Sequence, residues 1–271
     1  MNPVDYFSHV PLFRLEDFFA AHQAGKTLQP GSSLAAIKQH LRAGNLVRVR
    51  RGLYAVVPRG LTPDGVQVDP FALATQLAPD AVVAFHGALR FHGKAHSLSR
   101  SIPYLTGTRI KPFCFQGTEF VPIPVPPCLR SLPQWGGGIM ETQRNGARIR
   151  VTTLERTLVD VLEAPRHGGG WEEIWRSLES VEFLDLDAVI DYLVKLSSPV
   201  AVARVGFYLE QHREELMVEE AQLEFLSRLA PRRPVYLQRR NREPGKLVAR
   251  WNLVVPLRIL HRTWEENKTW T

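Results

Sequence analysis

Apolar and polar positions recur with the clearest periods over residues 31–57. Leu34, Ile37 and Leu41 fall at helical spacing and predict one amphipathic helix whose stripe faces a core. Gly44 and Asn45 follow as a left-handed stop. Residues 46–49 and 53–57 are then rich in β-branched and aromatic side chains, with Arg50-Arg51-Gly52 between them, which predicts a hairpin with a basic turn. Upstream, residues 12–22 place Leu12, Leu15, Phe18 and Phe19 on one face of a supporting helix, and residues 2–9 predict a shorter first helix. Helices followed by strand, basic tip and strand have the order of a winged helix-turn-helix, with a connection across residues 25–31 longer than the minimal turn of that motif.

Past a Pro- and Gly-containing linker at 58–69, the pattern becomes mixed. Helical spacing returns over 70–77 and 87–91, and short apolar runs predict strands at 81–85, 110–115 and 120–125. Pro122, Pro124, Pro126 and Pro127 push the last of these toward an extended or edge conformation. A strand at 148–151 runs into a helix whose start carries the Thr152–Glu155 capping-box spacing and whose buried face is Leu154, Leu158, Val161 and Leu162. Three or four helices follow, over 171–181, 186–196, 200–212 and 218–229, with Asp185 or Asp187 and the Ser198-Pro199 pair as start signals. Their stripes, Ile174/Trp175/Leu178 and Val189/Tyr192/Leu193/Leu196, read as core rather than as a cofactor box. Residues 235–237 and 247–255 predict an antiparallel pair around a turn at 241–245. The fold class expected is α+β: an N-terminal winged helix-turn-helix domain over 1–65 and a larger mixed α/β C-terminal domain over 66–271.

Charge sharpens this division. The chain carries a formal net charge of +7, with 34 Lys and Arg against 27 Asp and Glu among 271 residues. Such a balance favours a polyanionic partner, and the basic surplus sits at both ends of the chain, around an acidic region at 151–231. On the predicted helix, Ser32, Ala35, Ala36, Gln39 and Arg42 point away from the apolar stripe. Small, amide and guanidinium side chains suit a helix lying in the major groove: Gln pairs with adenine, Arg with guanine or phosphate, and Ala touches a thymine methyl. The DNA-facing set is therefore Ser32, Ala35, Lys38, Gln39 and Arg42 on the helix, with Arg48, Arg50 and Arg51 on the hairpin reaching the backbone or the minor groove. The competing reading is an ordinary amphipathic helix with a solvated basic hairpin.

Other chemistry is thinly signalled. His86, His92 and His96 lie close in sequence but match no standard zinc spacing and have no acidic or thiolate companion. Gly168-Gly169-Gly170 has no Lys-Ser/Thr behind it and is no phosphate loop. There is no GxSxG, HExxH, CxxC pair or GxxxxGKS/T, and the C-terminal strands offer Arg239, Arg240, Arg242, Lys246 and Arg250 rather than the clustered carboxylates of a magnesium nuclease. We expect no enzyme, no cofactor and no metal. Cys114 and Cys128 lack a disulfide-framework or CxxC pattern, no apolar leader opens the chain and no run approaches a membrane span, so the expected compartment is the cytoplasm. Arg156 and Asp160, four residues apart, read as a surface ion pair on spacing alone.

Four stretches together carry a resemblance: HLRAGNLVRVRRGLYAV at 40–56, VVAFHGALRFHG at 82–93, VTTLERTLVDVL at 151–162 and KLVARWNLVVP at 246–256. In these the chain resembles, over nearly its whole length, the AbiEi family of type IV toxin-antitoxin antitoxins and winged-helix transcriptional regulators. That resemblance implies an autorepressor that binds double-stranded DNA at inverted repeats in its own promoter, and an antitoxin that counteracts a nucleotidyltransferase-like toxin without a stable complex. It places Arg42, Arg48, Arg50 and Arg51 where the family has DNA-contacting residues, and Thr153, Arg156, Thr157 and Asp160 in the antitoxin signature helix, in a functional or an architectural role. The alternative is a winged-helix transcriptional regulator whose C-terminal domain senses a ligand or dimerises, with no toxin.

Overall fold

An aromatic cluster near the N-terminus draws the first elements together. The computed structural model describes residues 3–23, 30–238 and 243–262. Helix α1 (Pro3–His9), strand β1 (Leu12–Arg14), helices α2 (Leu15–Gln23) and α3 (Pro30–Arg42), and strands β2 (Leu46–Arg50) and β3 (Leu53–Val56) bury Tyr6, Phe7, Phe13, Phe18, Ile37, Leu46 and Tyr54 in one core. Phe7 stacks on Phe13 and Phe18 with ring centroids 5.4 and 5.6 Å away, and Tyr6 meets Phe13 and Phe18 edge-on. Such pairs add to the large apolar area that each ring removes from water. The expected connection at 25–31 falls mostly on residues 24–29, outside the described residues.

Two sequence readings need correction here. Residues 12–14 form a strand, because the edge of β3 takes them up in antiparallel register, Leu12 opposite Ala55 and Arg14 opposite Leu53. Leu34 is exposed, because the aromatic cluster reaches only Ile37 and Leu41 of its stripe. The stop itself is as expected: Gly44 has φ +72° and the Asn45 N–H donates to the His40 carbonyl, closing the helix in a Schellman turn.

The chain divides into two compact units, residues 1–83 with 100–124 and 140–151, and residues 84–99 with 125–139 and 152–271. Residues 65 and 66, the expected boundary, both lie within the first. That unit adds helix α4 (Pro70–Gln76) and a six-stranded sheet in the order β6-β7-β5-β4-β9-β8, built from β4 (Val82–Val83), β5 (Ser101–Thr106), β6 (Phe113–Phe115), β7 (Thr118–Pro124), β8 (Ile139–Arg144) and β9 (Ala147–Thr152). Asp69 caps α4 by accepting from the Phe71 and Ala72 amides. The prolines of β7 lie inside the sheet order yet break no ladder: β6 reaches only Thr118–Phe120, so Pro122 and Pro124 lie where β7 has β5 alone as neighbour.

In the second unit, α5 (Phe85–Phe91), α6 (Leu154–Glu163), α7 (Trp171–Glu179), α8 (Leu186–Leu196), α9 (Pro199–Gln211) and α10 (Glu220–Leu229) accompany a small sheet and the short α11 (Leu257–Leu260). Asp185 and Ser198 cap α8 and α9 as the sequence predicts, and both apolar stripes are core. The final sheet differs from expectation. Residues 247–255 break at a 3-10 turn over 249–251, with Asn252 left-handed, into β11 (Gly245–Val248) and β12 (Leu253–Pro256). The partner β10 (Val235–Tyr236) lies parallel to β12. Residues 241 and 242 of the predicted turn, with Arg239 and Arg240, lie outside the described residues. The fold as a whole is mixed α+β with several sheets, and among the described residues no helix is long and apolar enough to cross a membrane.

Gly206 is the tightest point of the second core. A Cβ there would stand 2.2 Å from Cζ3 of the fully buried Trp251, whose indole N–H donates to Glu210 at 2.7 Å. Gly206→Ala should therefore destabilise the protein by about 1–3 kcal/mol through overpacking, despite alanine's better helix propensity. Urea unfolding tests this, and an unchanged or raised midpoint would contradict the packing described.

Candidate nucleic-acid interface and signature helix

The first candidate surface is built by α3 and the β2–β3 hairpin. Packing Ile37 and Leu41 inward turns Ala35, Lys38, Gln39 and Arg42 outward, all exposed and one helical turn apart along one stripe. Ala36 is half-buried, and Ser32 lies in the first turn of α3, where the side chains are not described. On the hairpin, Arg48 and Arg51 are exposed. Lys38, Arg42, Arg48 and Arg51 make no ion pair with any described residue. The sequence offers them no local partner: from residue 18 to residue 63 there is no Asp or Glu. This carboxylate-free stretch is readable from the sequence and is a stronger signal than the block charge sums.

Arg50 behaves differently. The ladder register shifts between Arg48 and Arg50, a bulge that buries Val49 and leaves Arg50 half-buried. Its Nη2 donates to the Leu77 carbonyl and its guanidinium lies 5.9 Å from the Phe113 ring centroid. Arg14 Nε donates to the neighbouring Gln76 carbonyl at 3.0 Å. Two arginines thus satisfy carbonyls at the C-terminal end of α4, where a helix favours cations. Burial pulls the Arg50 guanidinium below the ordinary arginine value, and the same burial pushes the Tyr104 hydroxyl up to about 12.

The second candidate is α6. Thr153 is its N-cap, not Thr152; the Thr152 hydroxyl is buried against Thr157 Oγ1 at 2.7 Å, and Glu155 accepts from the Asp185 amide rather than closing a capping box. Thr157 Oγ1 also donates to the Thr153 carbonyl at 2.6 Å. The helix packs against α5, α8 and α9, which buries residues 156–162 on every side. The Arg156–Asp160 pair is therefore no surface ion pair. Arg156 is 1% exposed, with Nε 3.4 Å from Asp160 Oδ2. Its Nη1 donates to the Gly137 carbonyl at 2.6 Å and the Trp135 carbonyl at 3.2 Å. The guanidinium lies 4.7 Å from the Tyr192 ring centroid, and the Tyr192 hydroxyl donates to Asp160 Oδ1 at 2.8 Å. Burial drives the Asp160 carboxyl above the usual range, against the pull of Arg156 and the Tyr192 hydrogen bond. Spacing alone could not reveal this, since it says nothing of what covers a helix.

The three histidines go to separate partners: His86 Nε2 to Glu173 at 3.1 Å, His92 Nε2 to the Thr152 carbonyl at 2.8 Å, and His96 to Arg176 at 3.5 Å. No cluster of three metal-capable side chains occurs among the described residues. Removing Arg156 should strand a buried carboxylate, so Arg156→Ala should cost about 3–5 kcal/mol in chemical denaturation. Asp160→Asn, which keeps a hydrogen-bonding partner for Tyr192, should cost less, and the reverse order would break this account of the cluster.

No family model matches the sequence, and no curated protein matches it. Among solved structures, the crystal structure of the RV2827C protein from Mycobacterium tuberculosis is similar over 94% of this chain and 89% of that one, with 20% identity and a TM-score of 0.55. The likeness is one of fold.

Proposed function

We propose that α1–β3 is a winged helix-turn-helix head that binds duplex DNA, with α3 as its recognition helix and the β2–β3 hairpin as its wing. The observation that carries this is the exposed stripe of Ala35, Lys38, Gln39 and Arg42 together with Arg48 and Arg51, whose four cations, Lys38, Arg42, Arg48 and Arg51, have no carboxylate partner among the described residues. Such a surface releases counterions from phosphates, while Gln39 and Arg42 present the amide and guanidinium groups that read base edges. Arg50, half-buried and bonded to the Leu77 carbonyl, holds the wing in place in this reading. Within the same reading the chain is a cytoplasmic autorepressor and an antitoxin of the AbiEi kind, acting against a nucleotidyltransferase-like toxin. The signature residues Thr153, Arg156, Thr157 and Asp160 support that role architecturally, by fixing α6 within its unit.

Salt titration of the full chain on its own promoter fragment tests the DNA reading. Arg48→Ala and Arg51→Ala should each weaken binding and reduce the slope of log K against log salt by about 0.9 for each phosphate no longer neutralised. Arg50→Ala should instead lower stability by about 1–3 kcal/mol, because the Leu77 carbonyl loses its donor. Slopes unchanged in the Arg48 and Arg51 variants would remove the wing from the mechanism.

The two roles separate in cells. Full-length protein carrying Arg48→Ala and Arg51→Ala should lose repression of a promoter reporter and still protect cells co-expressing the nucleotidyltransferase-like product of an adjacent gene. Loss of protection together with repression, in a variant present at wild-type level, would defeat the antitoxin assignment as an activity separate from DNA binding.

A further inference from the structure

A cavity of about 590 Å³ opens in the first unit at the point where α3 ends. Phe7, Pro11, Val56, Val57 and Pro58 give it apolar walls, and the β8–β9 turn at Asn145-Gly146 borders it. Its size is that of a pocket for a small organic molecule, which is mostly apolar with a few placed polar groups. Ser8, Asn45 and Asn145 are its neutral polar groups, and its ionisable ones are His9, His40 and Arg59, with no Asp or Glu among the described residues that line it. Arg59 is exposed and has no ion-pair partner among the described residues.

His40 adds a directed donor. The Asn45 side-chain amide nitrogen lies 3.2 Å from His40 Nδ1, and an amide NH₂ can only donate, so Nδ1 accepts. In the neutral ring the proton then resides on Nε2, which has no partner among the described residues. Phe7 stands edge-on to the imidazole with centroids 4.9 Å apart, which fixes the ring beside the apolar wall. A largely apolar hollow with a fixed N–H, a guanidinium and, among the described residues, no carboxylate matches one class of ligand.

We propose that this cavity binds an amphipathic organic anion, a carboxylate carried on an aromatic or branched aliphatic body. The apolar walls take the body, and Arg59 with His40 Nε2–H takes the carboxylate. The site lies on the last turn of α3 and the base of the hairpin, but its occupancy does not depend on the reading of those elements as a DNA-binding head.

The test uses the full-length protein with 1-naphthoate and its neutral isostere 1-naphthalenemethanol, titrated calorimetrically without DNA. Naphthoate should bind about three- to fivefold more tightly than the alcohol, as a solvent-exposed ion pair provides. Arg59→Glu should abolish or reverse that preference and leave the affinity for the alcohol unchanged. Val57→Trp, which fills the hollow, should remove binding of both compounds in a protein whose thermal transition shows it folded. Equal affinities for acid and alcohol, a preference that survives Arg59→Glu, or binding that survives Val57→Trp would each overturn the site. Because binding is read without DNA, a chain that binds the anion but not its promoter would overturn the DNA-binding reading alone.

Discussion

A guanidinium sealed away from water must find acceptors, and the centre of the second unit is arranged around that requirement. Arginine has five N–H donors, no acceptor and no accessible neutral form. Once α5, α8 and α9 cover α6, Arg156 cannot look to solvent. The segment 134–138, with positive φ at Gln134, Trp135, Gly136, Gly137 and Gly138, turns the carbonyls of Trp135 and Gly137 onto Arg156 Nη1. Only glycine fits at 138, where a Cβ would stand 2.8 Å from that of Arg156. Asp160 supplies the counter-charge and Tyr192 closes the network from α8. Arg156 Nη2 finds no hydrogen-bond partner among the described residues, so the desolvation cost of the pair is only partly recovered, and the cluster specifies one arrangement of loop and helices more than it adds net stability.

In the first unit arginine is used in two opposite ways within four residues. Arg50 follows the bulge inward and, with Arg14, satisfies the end of α4, whereas Arg48 and Arg51 remain in solvent. A regular two-residue alternation across 48–50 would have put Arg48 and Arg50 on the same face. The register shift gives them separate partners, and so one short basic run both anchors the hairpin and charges its outer surface.

What could be read in the sequence follows the reach of the forces involved. Helix α8 was legible to its end residues, because its stripe, its Asp185 cap and its boundaries are local. The Gly44 stop and the β2–β3 hairpin were legible for the same reason. Strand β1 was not, since Leu12–Arg14 becomes a strand only by finding the edge of β3 some forty residues away in sequence. The true cap of α6, the parallel placement of β10 and the burial of Arg156 and Asp160 also depend on distant partners. Of the candidate interface, the outward stripe on α3 could be read from period and the charge from composition. The inward course of Arg50 could not, because a bulge leaves no mark in the alternation of side chains.

The interleaving of the two units bears on how the protein is made. The chain leaves the first unit after Val83, returns at Arg100, leaves again after Pro124 and is back only between Met140 and Val151. The aromatic core of α1–β3 can form as soon as residue 56 clears the ribosome. The six-stranded sheet must wait for β9, since β4 pairs in parallel with it through Val83 and Val151. Until then β4 presents an unpaired strand edge to solvent on a nascent chain elongating at about 5–20 residues per second. Synthesis therefore passes through an interval in which the basic head is already shaped while the sheet it belongs with is open, and a chain truncated before residue 147 would be held in that state permanently.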